Sequence, residues 1–436
     1  MRNLSVLLRR PLRVSLLATL LGAAACSGLA PAEAPPPVDY HRDAVAVLDR
    51  YCTSCHSSGG IGPLVLTDYD SVKRYAAAIK SAVQAERMPP WGPSDQGLPL
   101  RYSRKMRPED RDLLVRWIDG GLAEGDPSAA PRADIPPAEP VAPPRADIVV
   151  DPGRTYQPDT TRSDDYHCFV FDPQLGADTF LQAATVVPGN RASVHHVLVF
   201  EVLESDAEAI RRLNGGGDGY KCFGGPGGSG RPTTLFGWAP GGVGVRVPEG
   251  TGLRIHKGSL LVMQIHYNTL VKSAQGDRTL AQLEVSPSPP QHELRVLPIA
   301  NPKQLKIAAG DPQAKQQISL PVSFLESLMQ LPLGDLLVYS NAPHMHLLGK
   351  RIVTAIGNQT LVEIPRWDFH WQQTYAFATP LTVHKDDLIT VECTYDNSQA
   401  NQPVVDGAQQ SPREVGWGEG TLDEMCLSYL TVTPKP

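Results

Sequence analysis

Beyond residue 25 this 436-residue chain has no apolar run long enough to cross a bilayer, which confines any membrane attachment to the N-terminus. It has no surplus of positive charge: 40 Lys and Arg stand against 46 Asp and Glu. Nor is there a basic patch interleaved with aromatics, and these two absences exclude nucleic acid as a partner. No short-period internal repeat is found. Near Cys52 and Cys55 no further Cys or His is in reach, which removes the donors a zinc site would need.

What is present begins with an export signal over residues 1–25. Arg2, Arg9, Arg10 and Arg13 precede the apolar run VSLLATLLGAAA, and Cys26 follows three alanines. Lipoprotein processing would make Cys26 a diacylated N-terminus, although Ala23 stands where such signals usually carry Leu. The plainer alternative is ordinary cleavage before a free or paired Cys26. Removing the four arginines leaves 36 basic against 46 acidic residues, a net charge of −10. The expected setting is the bacterial cell envelope, with the chain lipid-anchored to a membrane and facing the periplasm. Cys168, Cys222, Cys393 and Cys426 are an even number in an oxidising compartment and read as two disulfides.

Composition divides the rest. Residues 26–38 form a Pro/Ala tether. Residues 39–124 carry helical patterning in HRDAVAVLDRY, SVKRYAAAIKSAVQAERM and PEDRDLLVRWIDGGL, the last opening with Pro108 and acids and ending at a Gly pair. Residues 125–146 are a second Pro/Ala linker. From Asp147 onward, short Val/Ile/Leu-rich runs alternate with Gly, Pro, Asn and Asp, which predicts β-sandwich or jelly-roll architecture. So many residues exceed one sandwich, so two are expected, 147–287 and 288–436, divided near SPSPPQ (286–291).

Tyr51-Cys52-Thr53-Ser54-Cys55-His56 reads as a haem c attachment motif: two thiols bond the vinyl groups and His56 supplies the proximal nitrogen. Met88, between a helix and two prolines, is the preferred sixth ligand, with Met106 as rival; His/Met ligation gives a higher-potential iron. Trp117 reads as core. The segment 39–124 resembles a class I cytochrome c domain.

Six further side chains form two sets. One is the adjacent pair His195-His196 in SVHHVLVF with His266 in MQIHYNT. The other is His344 and His346 in NAPHMHLLGK with Met425 in GTLDEMCLSYL. An all-imidazole set beside a two-imidazole, one-thioether set suits copper, because imidazole binds both oxidation states and thioether favours the cuprous one. A lone strand His or Met is usually packing. Adjacent strand residues point to opposite faces, so His195 and His196 reach one ion only where the strand is twisted or bulged, or where one of them binds through Nδ1. His344 and His346, at i and i+2, share a face. His167, His256, His292, His370 and His384 read as structural or exposed, with His370 in RWDFHWQQTY the least certain of them.

HHV, QIHY, HMH and EMC, in that order over residues 150–432, resemble the copper type II, ascorbate-dependent monooxygenases, the peptidylglycine α-hydroxylating and dopamine β-monooxygenase group. The resemblance implies two copper ions: an electron-transferring one on His195, His196 and His266, and an oxygen-activating one on His344, His346 and Met425. It implies two β-domains facing each other across a solvent-filled cleft, and C–H hydroxylation with O₂. It also implies the disulfide Cys393–Cys426, which leaves Cys168 with Cys222. Tyr429 matches a family tyrosine four residues past the methionine. In the peptide branch an arginine two residues before HxH helps hold the substrate carboxylate; here that place is Ala342, and a family asparagine is Leu427. A glycine-extended peptide is therefore a poor candidate, nothing marks an amine site, and the small-molecule or peptide substrate stays open.

The fusion has a supply logic. Hydroxylation needs two external electrons, and a tethered haem c would raise the local donor concentration to the order of millimolar. The expected path runs from an external donor to the haem, then to the His195/His196/His266 copper, then to the His344/His346/Met425 copper. The alternative class is a copper-binding electron-relay lipoprotein that hydroxylates nothing.

Overall fold

Val72, Ala76, Ile79 and Val83 recur at helical spacing, and in the computed structural model they form the buried stripe of a helix, Tyr69–Gln84 (α2). Asp68 caps it by accepting the Ser71 amide at 2.9 Å. Before it lies Val45–Tyr51 (α1), entered through a π-turn at Tyr40–Ala44; after it comes Pro108–Asp119 (α3), with Pro at its first position and Gly120 at its end. The structure describes residues 37–435 except 59, 139–140, 229, 231, 243, 270–274, 330–333 and 406, and the side chains of 327–329. The signal, Cys26 and nearly all of the expected tether lie outside the described residues. Among the described residues no helix is long and apolar enough to cross a membrane. The three helices close around Leu48, Leu114 and Trp117, each nearly inaccessible; burying side chains of this size contributes about 1.5–3 kcal/mol apiece. Trp117 is core, its indole donating to Ala123 O.

The remainder is mostly β. The principal strands are Ile148–Val150 (β1), Asp164–Phe171 (β2), Thr179–Val187 (β3), Val194–Val202 (β4), Thr233–Trp238 (β5), Thr251–Ile255 (β6), Leu260–Asn268 (β7), Leu280–Ser286 (β8) and His292–Ala300 (β9). Then come Ala314–Pro321 (β10), Leu336–His344 (β11), Gly349–Ile356 (β12), Gln359–Ile364 (β13), Tyr375–Val383 (β14), Leu388–Tyr395 (β15) and Leu427–Pro434 (β16). A five-stranded sheet runs from Tyr220–Lys221 through β2, β7, β4 and β5, and a four-stranded sheet runs β10-β15-β12-β13. β15 alternates buried and half-buried residues, as a strand with one face on a core must. β7 is buried along nearly its whole length.

The third sheet was not foreseen. It runs β1-β8-β3-β6-β9-β16-β11-β14, with Val245–Arg246 added beside β3, and so crosses from one half to the other. β9 makes the join: His292–Leu294 pair in parallel with β6, and Arg295–Ala300 pair antiparallel with β16. The SPSPPQ stretch is thus a crossover between halves that share a sheet, not a gap between independent bodies. Cys168–Cys222 and Cys393–Cys426 are both bonded, which points to an exported protein.

The helical segment is also not hung on a free linker. Residues 91–102 form a strap across two sheet edges of the C-terminal half. Ser94 and Leu98 amides donate to Glu363 and Leu361 carbonyls on β13, while Arg101 N and Ala378 N complete a bridge between Leu100 and Phe377 on β14. Both strands end their sheets, and the strap pairs backbone groups that would otherwise face water. The Pro/Ala stretch is tied down as well: Ile135 is buried in the helical core and Arg50 donates to Pro136 O at 2.6 Å.

Candidate metal centres

β4 and β7 pair with a register shift between Val194 and His196, so His195 is the extra residue of a bulge and His196 stands opposite His266. The bulge lets two neighbours in sequence turn to one point. His195 Nδ1 lies 3.2 Å from His196 Nδ1, which lies 3.4 Å from His266 Nδ1, and all three atoms fall within 4.8 Å of one another. Three imidazole nitrogens sharing one ion at about 2.0–2.1 Å stand roughly 3.3–3.6 Å apart, so the spacing fits. The proton inventory agrees. His266 Nε2 donates to Asp164 Oδ1 at 2.7 Å and His195 Nε2 to Phe369 O at 3.3 Å, which leaves both Nδ1 atoms as lone pairs. Two lone pairs and a third nitrogen crowded together call for a cation between them.

Burial lowers the pKa of all three histidines, that of His195 and His196 well below the ordinary value, so the rings are neutral and able to ligate at physiological pH. Tyr166 stacks on His266 at 4.1 Å. Asp164 also accepts the Thr421 hydroxyl, from the other half of the chain.

The second set gathers where β11 ends. His344 is its last residue, opposite Leu427 of β16, and His346 lies just past the strand. The pair is therefore a strand end and a turn, not two positions along one strand face; the rings are 5.1 Å apart at 87°. His344 Nδ1 bonds Gln372 Oε1 at 2.5 Å and His346 Nδ1 donates to Asp423 O at 3.1 Å, so each ring keeps Nε2 for a ligand. Burial pushes His344 down to about 4 and His346 to about 3. The buried Glu424 carboxyl group, pushed up to about 8 by burial, ties this turn to the segment holding Met425: it accepts amides of His346 at 2.9 Å, Leu348 at 2.6 Å and Met425 at 3.2 Å. Tyr395 donates to Met425 O, and the Cys393–Cys426 bond fixes the next residue. His344, His346, Met425 and Tyr429 line one cavity of about 640 Å³, which also reaches His196.

The two sets adjoin. The rings of His196 and His344 stand 6.4 Å apart, and Phe369 stacks on His195 at 4.2 Å while meeting His346 edge-on at 5.9 Å. The expected cleft narrows here, because the halves share a sheet and the loop after β13 brings Phe369 between them, but a cavity lined from both halves opens beside the two sets. Asp164, Phe369, Gln372 and Glu424 escaped the sequence reading. Only Glu424, beside Met425, and Phe369 and Gln372, both in the polar-aromatic stretch already singled out, carried any local sign. Among the other histidines, His167 bonds Asp218 O, His256 pairs with Glu201 and His384 with Asp335; His370 is exposed, its ring 6.3 Å from His195.

In the helical segment Cys52 is buried, Cys55 half-buried, and neither is bonded. His56 Nδ1 donates to Leu64 O at 3.0 Å, which orients the ring and frees Nε2. Two unpaired thiols beside a histidine so oriented fit covalent haem. Met106 packs against the helical core, whereas Met88 is 39% exposed.

Residues 312–435 match the family described as copper type II ascorbate-dependent monooxygenase, C-terminal domain. The chain is 24% identical over 290 residues to dopamine beta-hydroxylase of Rattus norvegicus, covering 62% of this chain and 43% of that protein. It is 21% identical over 266 residues to that of Equus caballus, covering 57% and 40%. The chain thus spans about two fifths of these relatives' length. Among solved structures, empty cowpea mosaic virus particles are 9% identical, covering 64% of this chain and 89% of that one at a TM-score of 0.26, too low to carry an argument. The family match thus lies within the C-terminal β-half, and the more distant likeness to dopamine beta-hydroxylase spans about three fifths of the chain.

Proposed function

We propose that the chain is a copper-dependent monooxygenase that hydroxylates a C–H bond of an organic substrate with O₂, its electrons arriving through a haem c held by Cys52, Cys55 and His56. The observation that carries this reading is the convergence of the His195, His196 and His266 Nδ1 atoms as neutral ligands within reach of one ion. His344, His346 and Met425 would hold a second copper. Copper at these sites stores electrons and activates O₂.

The chain's own part follows from its contacts. Asp164 and Phe369 O fix the tautomers of His266 and His195, and Gln372 and Asp423 O those of His344 and His346. Glu424 holds the HMH turn against Met425. Tyr429, half-buried with its phenol pushed up to about 12 by desolvation, stays a neutral hydrogen-bond donor in the cavity wall. Met88 would be the methionine left to help hold the haem, since Met106 is spent on packing. The helical segment would meet the copper-bearing halves where Glu86, two residues before Met88, pairs with Arg366 at 3.1 Å, at the base of the loop whose Phe369 stacks on His195.

Metal analysis should find two coppers per chain with cupric EPR signals and one haem. Substrate-dependent O₂ uptake should vanish in Met425→Ala with the haem spectrum unchanged; a pure relay would show no such uptake in either protein. Anaerobic reduction of the haem should be followed by loss of the cupric signal, and copper that stays cupric refutes the wiring.

A further inference from the structure

The cavity beside His344, His346 and Met425 is walled by both β-halves and by the strap from the helical segment. Where strap and C-terminal half meet, hydrogen-bond donors stand without acceptors. Trp371 Nε1 and the Tyr375 hydroxyl are both shielded from solvent, and neither has a partner. Such donors are rarely left unmet in a folded interior. Half-buried Arg104 makes no ion pair among the described residues; its guanidinium lies 5.5 Å over the Trp371 ring. Its charge also reaches the Tyr375 phenol, whose pKa burial raises and Arg104 pulls back down. The indole is restrained: Gly241 (φ +83) packs so close that a Cβ there would sit 2.0 Å from the ring. All three donors line the cavity. Its acidic member, Glu419, stands elsewhere, beside Asp423 and with its carbonyl on the Tyr166 phenol.

We infer that Arg104, Trp371 and Tyr375 form an anion subsite that holds a carboxylate of the substrate. A guanidinium together with an unpartnered indole N–H and phenol O–H, on residues lining one cavity, offers what a carboxylate requires and a neutral group cannot fully satisfy. The subsite is next to the metal ligands, because Gln372, adjacent to Trp371, is the residue that bonds His344. Ala342, the place of the peptide branch's arginine, has no part in it; the cation comes from Arg104, two residues past the strap, instead. The substrate class is then an apolar organic acid whose hydrocarbon part lies along the aromatic wall. Calling that acid a substrate rests on the monooxygenase reading, whereas its binding does not.

The test is calorimetry and tryptophan fluorescence on the full chain, metal-free and copper-loaded, with phenylacetate, phenylacetamide and formate. Phenylacetate should bind at least tenfold tighter than the amide in both forms, and tighter than formate. Arg104→Gln should abolish the preference over the amide, and Tyr375→Phe should reduce it severalfold with the cupric EPR signal unchanged. Equal affinity for acid and amide, no binding of either, formate binding as tightly as phenylacetate, or a preference that survives Arg104→Gln would each overturn the inference. Phenylacetate bound without O₂ uptake counts against the oxygenase reading alone.

Discussion

Asp164→Asn isolates what supports the three-histidine site. Asp164 Oδ1 accepts His266 Nε2–H at 2.7 Å and the Thr421 hydroxyl, and Oδ2 accepts Ser163 Oγ at 2.8 Å and the Thr421 amide at 3.3 Å. Burial alone would push this carboxyl up; the bonds from His266, Thr421 and Ser163 outweigh it and hold the group below the usual range. It is therefore an anion at neutral pH, in a setting where charge-assisted bonds are each worth about 1.5–3 kcal/mol. Asparagine keeps the volume and one acceptor, but it removes the charge and turns an NH₂ toward groups that donate. Copper affinity at His195, His196 and His266 should fall about 10–100-fold, or ~1.4–2.8 kcal/mol, with the His344/His346/Met425 site unchanged. Chelator competition followed by cupric EPR reads both sites. An affinity within about twofold of wild type would refute the claim that Asp164 tunes the site. The pH profile gives a second check. A carboxylate whose folded pKa is depressed adds stability above its unfolded pKa and loses it as pH falls through the folded value. Metal-free wild type should therefore lose this contribution in acid, and Asp164→Asn should lack it.

Glu424→Ala should orphan the buried amides of His346, Leu348 and Met425, costing on the order of 3–5 kcal/mol in thermal or denaturant unfolding and loosening copper at the second site; a change below about 1 kcal/mol would mean the brace is dispensable. His344 and His346, with pKa values near 4 and 3, should keep copper loading level from pH 7 to pH 5, whereas ordinary imidazoles would release metal over that range. Because their folded values lie below the ordinary imidazole value of 6.5, the metal-free protein should lose stability as pH falls from about 6.5 toward 4, visible in its melting temperature. Gly97→Ala would put a Cβ 2.6 Å from Leu361 O, so the strap should lift and become a protease or hydrogen-exchange hot spot; unchanged protection over residues 91–101 would show that the strap tolerates the methyl group.

Sequence alone carried the ligand types and their order. His195-His196, His344-Met345-His346 and Cys52-x-x-Cys55-His56 are local patterns, and local patterns survive without knowledge of what they face. The three helices were equally legible, since Val72, Ala76, Ile79 and Val83 declare a helical face by spacing. What only the tertiary structure decided was long-range pairing. The bulge at His195 is set by register against β7, seventy residues away, and the joined sheet depends on β9 meeting β6 and β16 at once. Asp164 with Thr421, and Arg104 with Trp371, come from distant stretches that nothing in either one announces. Side-chain periodicity fixes which face of an element is apolar, but register and edge pairing depend on partners elsewhere in the chain. That is why the candidate ligands could be named in advance, while the apposition of their rings across Phe369 could not.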